Sequence, residues 1–232
     1  MKSDIEKFIK TNNLSFNDLE LLKRAFTHRS YINEHRSLGL EHNERLEFLG
    51  DAVLELVITD FLFRHYPDKT EGDLTAFRAA AVNTTTISEA ATDLGMNDYL
   101  LLSKGEAKDV GRARQVILAN TFESVIGAIY IDQGYQVASQ FIGQALFDKV
   151  ITIIDNNLWR DAKSLAQEKI QEVQGVTPAY EVIKEIGPDH KKRFTVGLYA
   201  DGKKLAEGNG HSKQEAEQQA AASFLAKIDS SQ

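Results

Sequence analysis

The chain is 232 residues long, 42% hydrophobic and 26% charged, a balance that can build one large core or two smaller ones in a water-facing globular protein. It has no cysteine, which excludes disulfides and thiolate zinc sites and fits a reducing cytoplasm. The net charge of −7 is uneven: residues 161–232 hold 10 Lys+Arg against 11 Asp+Glu, so residues 1–160 carry −6. Neither part is basic overall. Contact with a polyanion must therefore come from local clusters, while the acidic part is suited to divalent cations. No stretch is read as approaching the ~18 apolar residues that a membrane span needs. The charged opening Met1-Lys2-Ser3-Asp4-Ile5-Glu6 lacks the apolar run of a signal peptide.

Residues 1 to about 154 read as almost wholly helical, with apolar residues recurring at three- and four-residue spacing from Ile5, Leu46 and Ile117. Asp73 or Thr75 is placed to cap a helix start, and Gly95 and Gly134 fall where helices can stop. The polar segment 155–160 breaks the periodicity and reads as a short linker. From Asp161 the character changes. A helical run over 162–174 precedes strand-like runs at 179–186 and 193–200, with Gly187-Pro188-Asp189-His190 as the turn between them. Asp201-Gly202 is a strong hairpin signal, followed by a third strand at about 203–209. Ser212 can cap a final helix running through Ala226. The order α-β-β-β-α implies an antiparallel sheet with two helices on one face.

The stretch from His42 to Leu56 carries the most chemistry. On a helix at ~100° per residue, Glu44, Glu47, Asp51 and Glu55 share one face, and Leu46, Leu49, Val53 and Leu56 are free to face a core. Like charges at this spacing repel by a few tenths of a kcal/mol per pair. A hard cation such as magnesium, which takes oxygen ligands, compensates that repulsion; a solvated acidic face is the other reading. On a second helix, Asn120 and Glu123 lie three apart in the apolar run Ile117–Tyr130. Both must be partly buried and in need of partners, as an internal hydrogen-bonded pair or as part of a site. Between these helices, Glu71 precedes Gly72-Asp73-Leu74-Thr75, where negative charge at a helix N-terminus is favourable in itself.

Asn43 to Leu54, reading NERLEFLGDAVL, resembles the signature of the ribonuclease III family. Glu71–Thr75, Val116–Tyr130 and a C-terminal segment similar to a double-stranded-RNA-binding domain follow in the family's order, so the resemblance covers nearly the whole chain. It implies an all-α endonuclease domain over 1–154, a linker at 155–160 and an α-β-β-β-α (α+β) double-stranded-RNA-binding domain over 161–232. It further implies a homodimer that hydrolyses double-stranded RNA with Mg2+, Mn2+ being able to substitute, and leaves 5′-phosphate and 3′-hydroxyl ends. Precursors of ribosomal RNA and structured messenger RNAs are the implied substrates. Asp51 and Glu123 match the catalytic acids, Glu47, Asp51, Asn120 and Glu123 the metal-binding positions, and Glu44 and Glu71 supporting acids. Asn120 departs from the family, where this position is commonly aspartate, so it brings an oxygen without a charge. In the C-terminal domain the resemblance assigns Ser164, Gln167 and Glu168 to one minor groove, His190 to the next, and Ser212 and Lys213 to the phosphates between. Gln214 stands where the family usually has lysine. Tyr180, Phe194 and Tyr199 read as core residues, as do Phe224 and Leu225. Two rival readings are a non-cleaving RNA-binding protein with the same fold and a helical scaffold holding structural cations.

Overall fold

The computed structural model describes residues 2–157, 159, 162–188 and 192–229. The chain divides into two compact units, Met1–Trp159 and Arg160–Gln232. The first is helical: α1 (Lys2–Thr11), α2 (Leu19–Ala25), α3 (Arg29–Glu34), α4 (Glu44–His65), α5 (Glu71–Ala81), α6 (Thr84–Asp93), α7 (Arg112–Gln133) and α8 (Tyr135–Asp155). Its one departure from helix and loop among the described residues is an isolated bridge between Thr27 and Leu101.

Helix α7 is the centre of this unit. Phe122, Val125, Ile126, Ala128 and Ile129 are fully buried, so the helix is apolar almost all round over its C-terminal half. Its polar residues survive burial by bonding to their own backbone: the Thr121 hydroxyl donates to the Ile117 carbonyl at 2.7 Å and the Ser124 hydroxyl to the Asn120 carbonyl at 2.7 Å. Helix α4 crosses α7 at backbone-contact distance. A Cβ on Gly50 would fall 1.7 Å from the Glu123 carbonyl oxygen, and one on Gly127 would fall 2.3 Å from that of Leu46. Only glycine at both positions permits this crossing. Leu46, Val53, Leu54, Val57, Ile58, Phe61 and Leu62 then form the buried side of α4. Leu56 does not: the core claims the neighbouring positions 53, 54, 57 and 58, so Leu56 is turned outward, contrary to the sequence expectation.

Two further expectations change. Helix α5 is capped by Thr70, whose hydroxyl accepts the Asp73 N–H at 3.2 Å while the Asp73 carboxylate accepts the Thr70 N–H at 3.2 Å. This reciprocal box starts the helix at Glu71, ahead of the Asp73 or Thr75 caps read from sequence. Helix α8, 21 residues long and with an 18-residue window of mean hydropathy 1.3, is long and apolar enough to cross a membrane by length and composition, which the expectation of no such stretch missed. Its Phe141, Ile142, Leu146 and Val150 are buried in the helical core. Trp159, within the segment read as linker, packs edge-on against Phe77 at 4.6 Å between ring centres and so belongs to the first core.

The second unit comprises α9 (Ala162–Gln174), β1 (Ala179–Ile186), β2 (Arg193–Ala200), β3 (Lys203–Gly210) and α10 (Lys213–Asp229). The strands form an antiparallel sheet in the order β1-β2-β3. Asp201 and Gly202, both at positive φ (49° and 72°), close the β2–β3 hairpin as a primed turn suits right-twisted strands. Ala166 and Ile170 of α9 pack with Leu198, Ala200, Ala220 and Ala221, and Tyr180, Phe224 and Leu225 are partly buried against them. Helix α10 lies directly on β3, where a Cβ on Gly208 would stand 2.1 Å from the Ala220 amide nitrogen. Small residues on both sides set that distance.

Candidate metal centre and nucleic-acid interface

The crossing of α4 and α7 brings together the acids predicted from two separate stretches of sequence. At its N-terminus, α4 is fixed by Asn43, which is 3% exposed. Its side-chain amide donates to the Ala25 carbonyl at 3.1 Å and its backbone N–H to the Thr27 carbonyl at 3.0 Å. The Asn43 carbonyl accepts the Leu46 and Glu47 amides at 2.8 and 2.9 Å and the Ser124 hydroxyl at 3.3 Å. One buried residue thus ties the end of α2, the first turn of α4 and the middle of α7. The sequence reading assigned Asn43 no role. A buried amide with partners 16 to 18 residues away leaves no periodic trace.

Around this anchor the four carboxylates of the predicted acidic face, Glu44, Glu47, Asp51 and Glu55, divide into two kinds. The outer pair is neutralised: Glu44 lies 3.5 Å from Arg29 and 3.7 Å from His42, and Glu55 lies 3.6 Å from Arg78 of α5. The inner pair, Glu47 and Asp51, has no ion pair among the described residues and sits beside Glu123 of α7. Glu123 is half-buried, and its carboxyl is pushed up to about 8 by burial and then by the charges of Asp51 and Glu47. Glu47 is also raised, by burial first and then by Glu44 and Asp51, while a hydrogen bond from the Asn120 side chain opposes the shift. Asn120 therefore uses its NH2 on Glu47, and its amide oxygen remains an acceptor.

These four residues converge, Glu44 adjoins them, and Glu71 does not join them. Glu71 accepts the Thr75 hydroxyl at 3.2 Å and lines a cavity of about 430 Å³ with Thr59, Phe63, Lys69 and Arg78. Among the described residues no three His, Asp or Glu side chains are gathered into a ready-made cation cage. Magnesium does not require one: it keeps several waters and takes one or two carboxylates together with a substrate phosphate. A hard oxygen donor set with uncompensated negative charge fits such an ion, and Asp51 stands exposed at its edge, open to a large substrate.

In the second unit, Ser164, Gln167 and Glu168 are exposed on the side of α9 opposite its buried Ala166 and Ile170. Ser212 caps α10, its hydroxyl accepting the Glu215 N–H at 3.1 Å while the Glu215 carboxylate accepts the His211 N–H at 2.7 Å. Lys213, the first residue of α10, has its ammonium 3.7 Å from Glu185 and 5.9 Å from the centre of the Phe194 ring. Lys192 also reaches Glu185, at 3.7 Å. His190 lies outside the described residues.

A ribonuclease-III-like family model matches residues 18–150, and the double-stranded RNA binding motif matches residues 162–228. The chain is 42% identical to Ribonuclease 3 of Borreliella afzelii over 221 residues, which cover 95% of this chain and 89% of that protein. It is equally 42% identical to Ribonuclease 3 of Streptococcus pyogenes over 225 residues, 97% of each chain. Among solved structures it resembles the nuclease domain of ribonuclease III from Campylobacter jejuni, with a TM-score of 0.55 and 36% identity, covering 61% of this chain and 97% of that one. The two family matches span the two units, the full-length relatives match over nearly the whole chain, and the chain belongs to the ribonuclease III family of endoribonucleases.

Proposed function

We propose that this endoribonuclease is a homodimer that uses Mg2+ to hydrolyse double-stranded RNA, leaving 5′-phosphate and 3′-hydroxyl ends, in cytoplasmic ribosomal-RNA precursors and structured messenger RNAs. The observation that carries the reading is the division of the α4 acids: Glu44 and Glu55 have cationic partners, whereas Glu47, Asp51 and Glu123 are left to one another. In this reading Glu47, Asp51, Asn120 and Glu123 hold the ion, and Asp51 and Glu123 are the catalytic acids. Glu44 supports Glu47 from the α4 N-terminus, and Glu71, which lies apart from the cluster, takes no part in it. Mn2+ can replace Mg2+ at such an oxygen-rich site.

When bound, the ion supplies Lewis-acid activation of water and neutralises charge at the reacting phosphate. The protein's part is to hold oxygen donors still. Asn120 orients Glu47 through its NH2, the Asn43–Ser124 contact fixes the two helices, and the exposed edge at Asp51 admits a backbone phosphate. Ser164, Gln167 and Glu168 would face one minor groove and Lys213 the phosphates. His190 is assigned to the next groove by resemblance alone.

A dimer is supported by a second face of α4. Phe48 (82% exposed), Leu56 (56%) and Phe63 (70%) fall within about 80° of one another around the helix, next to the acidic face. Large apolar residues so exposed on a rigid helix mark an interaction surface, and the related Campylobacter jejuni nuclease domain is described as having a region involved in dimer formation. Two-fold pairing would place two sites on opposite strands of one duplex.

Labelled duplex RNA incubated with and without Mg2+ tests the function. Wild type should cut only with the ion. Asp51→Ala and Glu123→Gln should each cut on the order of 10³-fold more slowly, the scale of several kcal/mol of charge stabilisation, while still retarding the duplex. Binding without cleavage by the wild type at any Mg2+ concentration would identify a non-cleaving binder.

A further inference from the structure

We propose that Glu185 is an affinity-limiting residue of the RNA-binding unit, a carboxylate that occupies the place of an RNA phosphate between Lys192 and Lys213. This deepens the reading of Lys213 as a phosphate contact and rests on it. The two lysines come from different elements: Lys213 opens α10, and Lys192 immediately precedes β2. They share one carboxylate, each with its ammonium 3.7 Å from Glu185 near the end of β1. A phosphate oxygen pair presents the same charge and nearly the same span as a carboxylate, so the geometry that seats Glu185 is one that would seat phosphate. Lys213 is further held near the face of Phe194, at 5.9 Å, and stands at a helix N-terminus that itself favours an anion.

Glu185 and phosphate cannot both hold the pair at full strength. At 3.7 Å, with all three side chains at least a third exposed, these ion pairs are loose and hydrated. RNA can therefore displace Glu185, but the displaced carboxylate stays beside the phosphate and repels it. Two lysines and one glutamate leave a net local charge of +1, where Lys192 and Lys213 alone would give +2. Because phosphate contacts carry no sequence information, the device sets affinity for every duplex alike and speeds release.

The test measures duplex binding by the full chain without divalent cation, so that nothing is cut, across a salt series. Glu185→Gln should bind about three-fold more tightly than wild type at about 50 mM salt, with a steeper salt dependence, and the advantage should fade as salt rises. Glu181→Gln is the control, since it removes the same charge from an exposed position on the same strand. It should change affinity by much less. In a Lys192→Ala/Lys213→Ala background, Glu185→Gln should give no more than the control. Equal gains from Glu185→Gln and Glu181→Gln would reduce the effect to net charge and overturn the inference. Weaker binding by Glu185→Gln would also overturn it and make Glu185 a residue that positions the lysines. Wild type failing to bind duplex at low salt would instead overturn the RNA-binding reading itself, a result distinct from wild type binding normally with Glu185→Gln unchanged.

Discussion

The two units handle charge in opposite ways. In the helical unit, Glu123 is half-buried among apolar side chains and held within reach of Glu47 and Asp51, so its carboxyl lies near 8. In the RNA-binding unit several charged groups at the surface are paired across short gaps: Lys192 and Lys213 with Glu185, and Lys204 with Glu207 at 2.8 Å. Such surface pairs are each worth about 0–1 kcal/mol. Crowding like charges in a partly dry place stores repulsion that a small, hard ion relieves on binding. Spreading opposite charges over a wet surface builds an interface that adds many weak contacts and lets go again. The first needs its oxygen donors held still, and α4 and α7 meet glycine to glycine beneath them.

The sharpest way to break this contrast is at the glycines. Gly50→Ala places a methyl 1.7 Å from the Glu123 carbonyl oxygen, a backbone clash that no rotamer relieves. It should destabilise the helical unit by at least about 3 kcal/mol and abolish cleavage. Duplex binding through residues 162–229 should survive. Gly208→Ala, with its methyl 2.1 Å from the Ala220 amide nitrogen, should do the reverse, lifting α10 from β3 and weakening duplex binding while the helical unit still melts cooperatively. Two-transition melting curves combined with binding and cleavage assays check both. Loss of duplex binding by Gly50→Ala, or loss of the helical unit's melting transition in Gly208→Ala, would mean that the units are not energetically separate.

How much of this was legible in the sequence differs between the units for the same reason. Residues 179–186 and 193–200 read as strands because their runs of strand-forming residues, Gly187 and the Asp201-Gly202 turn are local signals, and the structure places β1 and β2 at those limits. The acidic face of α4 was equally legible, because 3.6-residue periodicity puts Glu44, Glu47, Asp51 and Glu55 together. Which two of the four remain uncompensated was not. That depends on Arg29 and Arg78, which arrive from other helices. Gly50 and Gly127 read as ordinary residues of helical runs until the crossing is seen. The outward turn of Leu56 likewise follows from which side of α4 meets α7, a tertiary fact. In the sheet, the bulge between Val182 and Lys184 gave no signal within its run of strand-forming residues.

A second test uses pH. A carboxyl raised in the folded state favours folding while protonated and costs stability once ionised. The contribution of Glu123 is therefore fully present below the ordinary value of 4.5 and lost as pH rises through about 8. Glu47 acts in the same direction. Without divalent cation, the melting temperature of the helical unit should fall between about pH 6 and pH 8.5, and Glu123→Gln should flatten that fall. Mg2+ should raise the melting temperature more at the higher pH, since the ion needs the ionised form. In the RNA-binding unit Lys204 moves the Glu207 carboxyl the opposite way, below the usual carboxylate range, so that unit should show no such fall. Parallel pH profiles for the two units would remove the contrast between them.

The smallest effect is the most discriminating, because it changes one atom type at the proposed metal centre. Asn120 donates from its NH2 to Glu47 and has an oxygen left for the ion. Asn120→Asp exchanges that donor for a second oxygen and adds a charge beside Glu47 and Glu123. Two consequences follow with opposite signs. Without the ion, Glu47 loses the hydrogen bond that opposes its upward shift, so the cluster repels itself more and the helical unit should be less stable at neutral pH. With the ion, the extra carboxylate strengthens attraction. A gain of about 1 kcal/mol after desolvation corresponds to about five-fold in affinity, at an effective dielectric near 20. Cleavage by the variant should therefore saturate at about five-fold lower Mg2+, with the maximal rate unchanged or higher, while its melting temperature without ion falls below that of wild type. Mn2+ should support wild-type cleavage at lower concentration than Mg2+, because it binds such sites more tightly. Superimposed Mg2+ curves, with the stability loss still present, would make Asn120 a residue that only orients Glu47. Superimposed curves with unchanged stability would remove it from the site.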